Sequence, residues 1–407
     1  MKNFLLRLSR MPRELKLFAL ASTLMGLAYS MVDATFNNFL DARFHLTGFE
    51  RSFLEFPREL PGFLVVFVSA MLWFFCSRRL GAVALIFSAI GALFLGLLSN
   101  SYIVMIIWLF LYSMGQHLFM PISSAIGMEL ARDGRTGQRL GQLNALRNAA
   151  VIAGSFFVYL AFRYLNFDFQ KTYILVAVIF LVAAYFMFRM KPQEAKQPKT
   201  FLKLHKEYNL YYLLAILYGS RKQLFMTFAP WVLVTIFNQP TQTLATLLTI
   251  GGVIGILFQP LLGWAIDHLG ERLVLIWEAI LLMLVCLGYA YAKDIFANHT
   301  AFLIICVCFL LDQMLMSVNM ARAMYIKKIA RQPDHVQATL TAGVTIDHIF
   351  SISIALIGGL IWNAFGYEVV FLLGVGIAFL SLIAAWKIDI PMQSQPINPP
   401  IPEISQG

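Results

Sequence analysis

Charge is what this chain has least of. Only 13% of its 407 residues are Asp, Glu, Lys or Arg, while 59% are hydrophobic, against roughly 45–50% apolar in soluble domains. That balance excludes a soluble globular surface. Cysteine is scarcer still: Cys76, Cys286, Cys306 and Cys308 lie inside or at the edge of apolar runs. They read as reduced packing residues, which excludes a disulfide framework. No His, Cys, Asp or Glu cluster has metal-ligand spacing along the chain, so no metal site is expected. A phosphate-cradling glycine loop ending in Lys-Ser/Thr is missing, which excludes direct ATP drive. Gly154-Ser155 and Gly219-Ser220 lack the strand-to-helix setting of a nucleophile elbow. No cofactor and no enzymatic activity are therefore expected. The N-terminal stretch has cations at Lys2, Arg7, Arg10, Arg13 and Lys16 but lacks a short apolar core ahead of a cleavage site. It reads as a retained first helix rather than a cleaved signal.

What fills the chain instead is a series of apolar runs, each long enough to cross a bilayer. Six are expected at roughly 17–40, 51–77, 81–99, 102–130, 140–163 and 171–190. Six more follow at roughly 207–237, 242–266, 273–293, 301–328, 337–364 and 367–388. This predicts an all-α integral membrane protein of twelve transmembrane helices in two six-helix halves. The domain reading is 1–190 for the N-terminal bundle, 191–206 for a basic linker, 207–390 for the C-terminal bundle and 391–407 for a disordered tail.

The formal net charge of +10 does not point to nucleic acid, because the excess Lys and Arg fall in short connections. One set of connections holds the N-terminal cations, Arg78, Arg79, Arg132, Arg135, Arg139, the linker lysines, Arg272, Lys327, Lys328 and Arg331; the alternate set holds Arg43, Arg51, Arg163, Lys171 and Lys293. The positive-inside rule then puts both termini and the linker in the cytoplasm. The expected location is a bacterial cytoplasmic membrane, and the expected state a monomer.

The halves also repeat. Ser77-Arg78-Arg79-Leu80-Gly81 after the second span corresponds to Ile266-Asp267-His268-Leu269-Gly270-Glu271-Arg272 after the eighth. Ala131-Arg132 matches Ala330-Arg331, and Gly26 matches Gly219. Parallel repetition of this kind is the mark of two halves around a central cavity. With Gly263-Trp-Ala-Ile-Asp267-His-Leu-Gly270-Glu-Arg272 and the run Arg135 to Asn148, the sequence resembles the major facilitator superfamily over all but its tail. The loop motif Gly263, Asp267, Gly270 and Arg272 is similar to the family's signature between the second and third helix of a half. The N-terminal copy lacks the acidic residue.

The resemblance implies a substrate site at mid-membrane between the halves, so polar residues at mid-span carry the functional reading. A charge there costs at least about 2.5–3.5 kcal/mol on insertion scales. Arg221 and Lys222 stand side by side at the centre of the seventh span, about 100° apart on a helix. One is expected to reach the cavity and the other to lock to a carboxylate. Asn144, Arg147 and Asn148 share one face of the fifth span. With Gln116 and Asn37 these make the candidate substrate-binding set. Asp33, Arg58, Glu59, His117, Asp312, Asp347 and His348 are the candidates for proton coupling or gating. Expected partners are a small-molecule substrate, the lipid bilayer and protons. Because of Arg147, Arg221 and Lys222 the expected cargo is a small anionic organic solute, moved by alternating access. The alternative is a proton-driven exporter of drugs or amphipathic compounds, in which those cations are ion-paired. A membrane-embedded enzyme lacks its constellation, and a receptor lacks its extramembrane domain.

Overall fold

An apolar segment in a bilayer has no water to satisfy its backbone, so it closes its hydrogen bonds internally as helix. The computed structural model describes residues 12–71, 77–131, 135–192 and 204–389, and among them there is helix and no strand. The tail expected after Pro391, linker residues 193–203, Cys76 and Arg132 lie outside the described residues.

The N-terminal half comprises α1 (Arg13–Phe44), the short α2 (Gly48–Phe53) leading into α3 (Glu55–Met71), α4 (Ser77–Leu97), α5 (Tyr102–Glu129), α6 (Thr136–Tyr164) and α7 (Phe169–Arg189). The C-terminal half comprises α8 (Asn209–Trp231), continued by a π turn at Val232–Ile236, then α9 (Thr241–Ile295), α10 (Asn298–Met316) broken from α11 (Asn319–Ile329), α12 (Pro333–Phe365) and α13 (Tyr367–Trp386). α9 holds two spans. They are joined at Gly270, whose φ of 82° is open to glycine and strained for other residues. Counting α2–α3 and α10–α11 as one span each gives twelve spans, six to a half.

In the first half, side-chain caps start the helices that begin at the end remote from the termini. Thr47 accepts from the Glu50 backbone while Glu50 reaches back to the Thr47 N–H, a capping box that starts α2. Ser101 and Asp168 cap α5 and α7 in the same way, by accepting from Val104 N and Lys171 N.

Each half has its own apolar core. Phe18, Leu85, Leu109, Phe119, Tyr173 and Phe180 anchor the first; Leu224, Phe228, Leu275, Tyr289, Phe309 and Phe371 anchor the second. The glycine pair noticed as a repeat has a packing reason. Gly26 of α1 provides the notch for the Arg147 stem of α6, and Gly219 of α8 provides the matching notch for Asp347 of α12.

At the end carrying the termini, each half is tied by a buried charge, with the signs exchanged. In the first half, the cation comes from the loop side: Arg78 pairs with Glu129 at the end of α5 and with Glu14 of α1 at 3.0 Å. In the second half, the loop supplies the acid, Glu271, which meets Lys328 of α11 at 2.6 Å. The acidic member expected from the motif was Asp267. It is exposed, as is Arg272, while Glu271 is fully buried.

The opposite end is closed. Asn38 Nδ2 donates to the Gln239 carbonyl at 2.8 Å, the Phe49 N–H donates to Asn363 Oδ1 at 3.1 Å, and Gln242 Nε2 donates to the Phe162 carbonyl at 3.3 Å. Trp362 packs on Gly48, and α2 lies against Gly359 so closely that a Cβ there would meet Ser52 Cβ at 2.7 Å and Phe49 Cα at 3.0 Å. Gly359→Val should therefore disfavour this closure by about 1–3 kcal/mol. Pulsed EPR distances between spin labels at the exposed Leu165 and Phe296 test this. A longer-distance population is expected; an unchanged distribution would show that this contact does not hold the halves together.

Candidate functional site

Charges at mid-membrane are arranged by pairing before anything else. Arg221, 1% exposed, lies inside the second half and donates to Asp312 Oδ1 at 2.9 Å and to Met316 Sδ at 3.1 Å. Its second terminal nitrogen is 3.6 Å from Glu278, whose other oxygen receives Arg322 at 2.7 Å. The result is a chain Asp312, Arg221, Glu278, Arg322 that stitches α8, both spans flanking it and α11. Arg322 is buried too, its guanidinium 4.8 Å from the Tyr218 ring centroid.

Lys222, one position on, points the other way. It lines the cavity and also donates to Asp347 Oδ2 at 2.7 Å, while Ser351 Oγ donates to Asp347 Oδ1 at 3.2 Å.

The first half has a comparable cluster. Arg51 donates to Glu55 Oε1 at 2.7 Å and to Asn37 Oδ1 at 2.9 Å, and Arg58 approaches the same Glu55 oxygen at 3.5 Å. Arg51 had the look of a loop cation in the sequence. It is fully buried, because α2 tucks beneath the closed end and brings it one helical turn from Glu55.

Between the halves lies a cavity of about 430 Å³, within the range of roughly 300–1,000 Å³ of small-molecule sites. α1, α3 and α6 line it from one side and α8, α9 and α10 from the other. Its polar wall has the amides Asn37, Asn148, Gln259 and Gln313 and the hydroxyls Tyr29, Ser30, Ser155 and Ser317. Phe225, Met226, Phe309, Met316, Ile152 and Leu248 supply apolar surface. Three charged residues reach it: Arg58, Lys222 and Asp33. The first two have the carboxylate partners just described. Asp33 has no ion pair or hydrogen bond to any described residue.

The sequence-derived set divides accordingly. Asn37, Asn148 and Lys222 of the binding set, and Asp33 and Arg58 of the coupling set, are on the cavity wall. Arg221 and Asp312 are in the interior of the second half. Asn144 is exposed, and Arg147, three residues further along α6, has no ion-pair partner among the described residues. Gln116 donates to Tyr112 Oη at 2.8 Å beside a small void shared with Asp33 and Arg58. Glu59, His117 and His348 gather off the wall, at the contact between α3, α5 and α12. Sequence reasoning passed over Tyr29 and Gln259. Tyr29 stands four residues before Asp33, so the helical repeat alone puts it on the same face.

A sequence profile described as Major Facilitator Superfamily matches residues 18–342 and 211–404. No curated protein matches the chain significantly. Among solved structures, the nucleoside transporter NupG superposes with a TM-score of 0.75 at 13% identity, over 93% of this chain and 100% of its own. A D-xylose-proton symporter gives 0.68 at 15%, over 92% and 97%. A bacterial homologue of the iron transporter ferroportin, in an inward-facing state, gives 0.70 at 11%, over 92% and 98%. At these identities the likeness is one of fold.

Removing one member of a buried pair strands the other charge, which costs about 3–5 kcal/mol. Arg221→Met should lower stability by about that much, and Lys222→Met by less, since its pair is partly exposed. Adding Asp312→Leu to Arg221→Met should recover part of the loss. Unfolding of the purified variants in detergent measures this; equal losses for the two single variants would contradict the assignment.

Proposed function

The chain belongs to the major facilitator superfamily, and from that premise we propose that it moves a small, uncharged polar organic solute together with a proton, by alternating access. It is an integral membrane transporter, not an enzyme. The excess of Lys and Arg around the end with the termini supports a cytoplasmic location for that end. The closed end then faces outward and the cavity communicates with the cytoplasm, in a bacterial cytoplasmic membrane.

The observation that carries the cargo assignment is the pairing of the cations. Lys222 is held by Asp347, Arg58 by Glu55 and Arg221 by Asp312 and Glu278. The wall is left with four amides, four hydroxyls and one unpartnered carboxylate, Asp33. Amides and hydroxyls both donate and accept, which suits a solute rich in hydroxyl or amide-like groups. A carboxylate on the wall disfavours an anionic cargo. It is also the group on this wall placed to take a proton as the cavity changes side, a use to which buried membrane carboxylates are put. The nucleoside transporter and the D-xylose-proton symporter, both similar in fold, carry solutes of that kind by their names. The volume and the amides favour such a cargo over the bulky amphipathic compounds of the drug-exporter alternative.

One observation favours the anionic organic solute as a second reading. Arg147, with no ion-pair partner among the described residues, directly precedes Asn148, on its side toward the end with the termini. An anion entering from there would meet Arg147 before Asp33.

Transport into proteoliposomes separates these readings. With labelled pentoses, nucleosides and small carboxylates as probes, the neutral solutes should accumulate under an inward proton gradient. Asp33→Asn should reduce that accumulation at least about tenfold, the usual range for loss of a proton-transfer group, while exchange of labelled for unlabelled solute continues. Accumulation of carboxylates alone, or gradient-driven uptake that survives Asp33→Asn, would overturn the proposal.

A further inference from the structure

The cluster off the cavity wall has a chemistry of its own. We propose that Glu59, His117 and His348 bind a divalent transition-metal ion of the zinc class, and that this ion braces the two halves in the closed-end conformation. Their donor atoms all lie within 4.8 Å of one another. Glu59 comes from α3 and His117 from α5, both in the first half; His348 comes from α12 in the second. Two imidazoles and a carboxylate form a ligand set that zinc takes while leaving a fourth position open.

The orientation of His117 is the second observation. Its Nδ1 is 3.0 Å from both the Ser113 carbonyl, which can only accept, and the Ser113 hydroxyl, whose hydrogen goes to the Arg58 carbonyl, so the tautomer with hydrogen on Nδ1 satisfies both contacts. Nε2 of the neutral ring is then a lone pair, and it faces Glu59 Oε2 at 4.0 Å. Two electron-rich atoms at this separation leave room for a cation between them. A backbone carbonyl holding the remote ring nitrogen is also the usual support of a metal-bound histidine. His348 Nδ1 donates to the same Glu59 oxygen at 2.7 Å, and an ion bound there would move that hydrogen to Nε2. Metal bonds of about 2.0–2.2 Å place donors roughly 3–3.5 Å apart, between the two separations seen, so small rotations suffice.

The surroundings fit. Gly62 of α3 lies under both rings, and a Cβ there would stand 2.8 Å from His117 Cδ2 and 3.2 Å from His348 Cε1. The neighbouring cations Arg58 and Lys222 have Glu55 and Asp347, which leaves Glu59 to the cluster. None of the three ligands lines the cavity, so the ion is a brace and not the cargo. When the halves rock, His348 leaves with the second half and the site is lost. A metal that binds only this conformation shifts the population toward it and slows the cycle.

The test uses the full-length protein carrying His205→Gln and His335→Gln, which removes a separate His205, Glu207 and His335 group at the other end of the second half. Zn²⁺ is titrated against a chromophoric chelator with Mg²⁺ present. One Zn²⁺ per chain should bind, and His117→Ala or His348→Ala should weaken it by about tenfold or more. X-ray absorption at the zinc edge of the protein with its three ligands intact should show imidazole scattering, a readout that does not depend on the variants folding. Absence of stoichiometric Zn²⁺ uptake, a zinc edge without imidazole, or affinity unchanged in folded His variants would overturn the proposal; the first of these would leave a proton as the cation between His117 and Glu59.

Discussion

The constraint on which this molecule depends is that a charge in hydrocarbon must be paired or face a water-filled space. Nearly every structural choice at mid-depth follows from it. Arg221 draws Asp312 and Glu278 toward α8, and Glu278 in turn holds Arg322, so one chain of charges fixes four segments of the second half. Arg51 and Glu55 do the same service in the first half and draw Asn37 into the set. Such pairs contribute little net stability compared with a well-packed apolar core. What they contribute is registration: a helix slipped by one residue would strand a charge.

The same economy defines the cavity. Once the interior pairs are made, Asp33 is left on the wall with no hydrogen bond or ion pair of its own, near Arg58 and Arg51, which share Glu55. The two ends then differ in kind. The end with the termini is tied within each half, by Arg78 to Glu129 and Glu14 and by Glu271 to Lys328, with opposite charge placement in the two halves. The other end is tied between halves, by amide contacts and by small residues that let α2 lie against α12. Bonds within halves persist through a rocking motion and bonds between halves must break. Weak neutral contacts at the closed end and strong ionic ones inside each half suit that requirement.

Much of this was legible in the sequence. The twelve spans follow from hydropathy, because an apolar run of that length leaves the backbone no choice but helix. The 100° between Arg221 and Lys222 already said that they part ways. What the sequence did not carry is which direction each takes, since that depends on where Asp312 and Asp347 arrive from the tenth and eleventh spans. Arg51 was misplaced because the break at Leu54 is invisible to hydropathy, so a buried helix read as a loop. Asp267 matched the motif, yet Glu271 is the acid that is buried, since Gly270 turns the chain between them. The His117, His348 and Glu59 group could not be seen at all: its members are separated by 58 and 231 residues along the chain and meet because the halves close on each other.

The central claim is that the cations on the cavity wall are satisfied internally, so the charge moved with the cargo is the proton on Asp33. Electrical recording on a solid-supported membrane loaded with proteoliposomes measures it directly. A neutral solute travelling with a proton carries net positive charge, so addition of the transported solute should produce a positive inward current that Asp33→Asn removes. An electroneutral response, in which uptake occurs with no current, would mean either that an anion travels with the proton or that no proton moves, and would contradict the account.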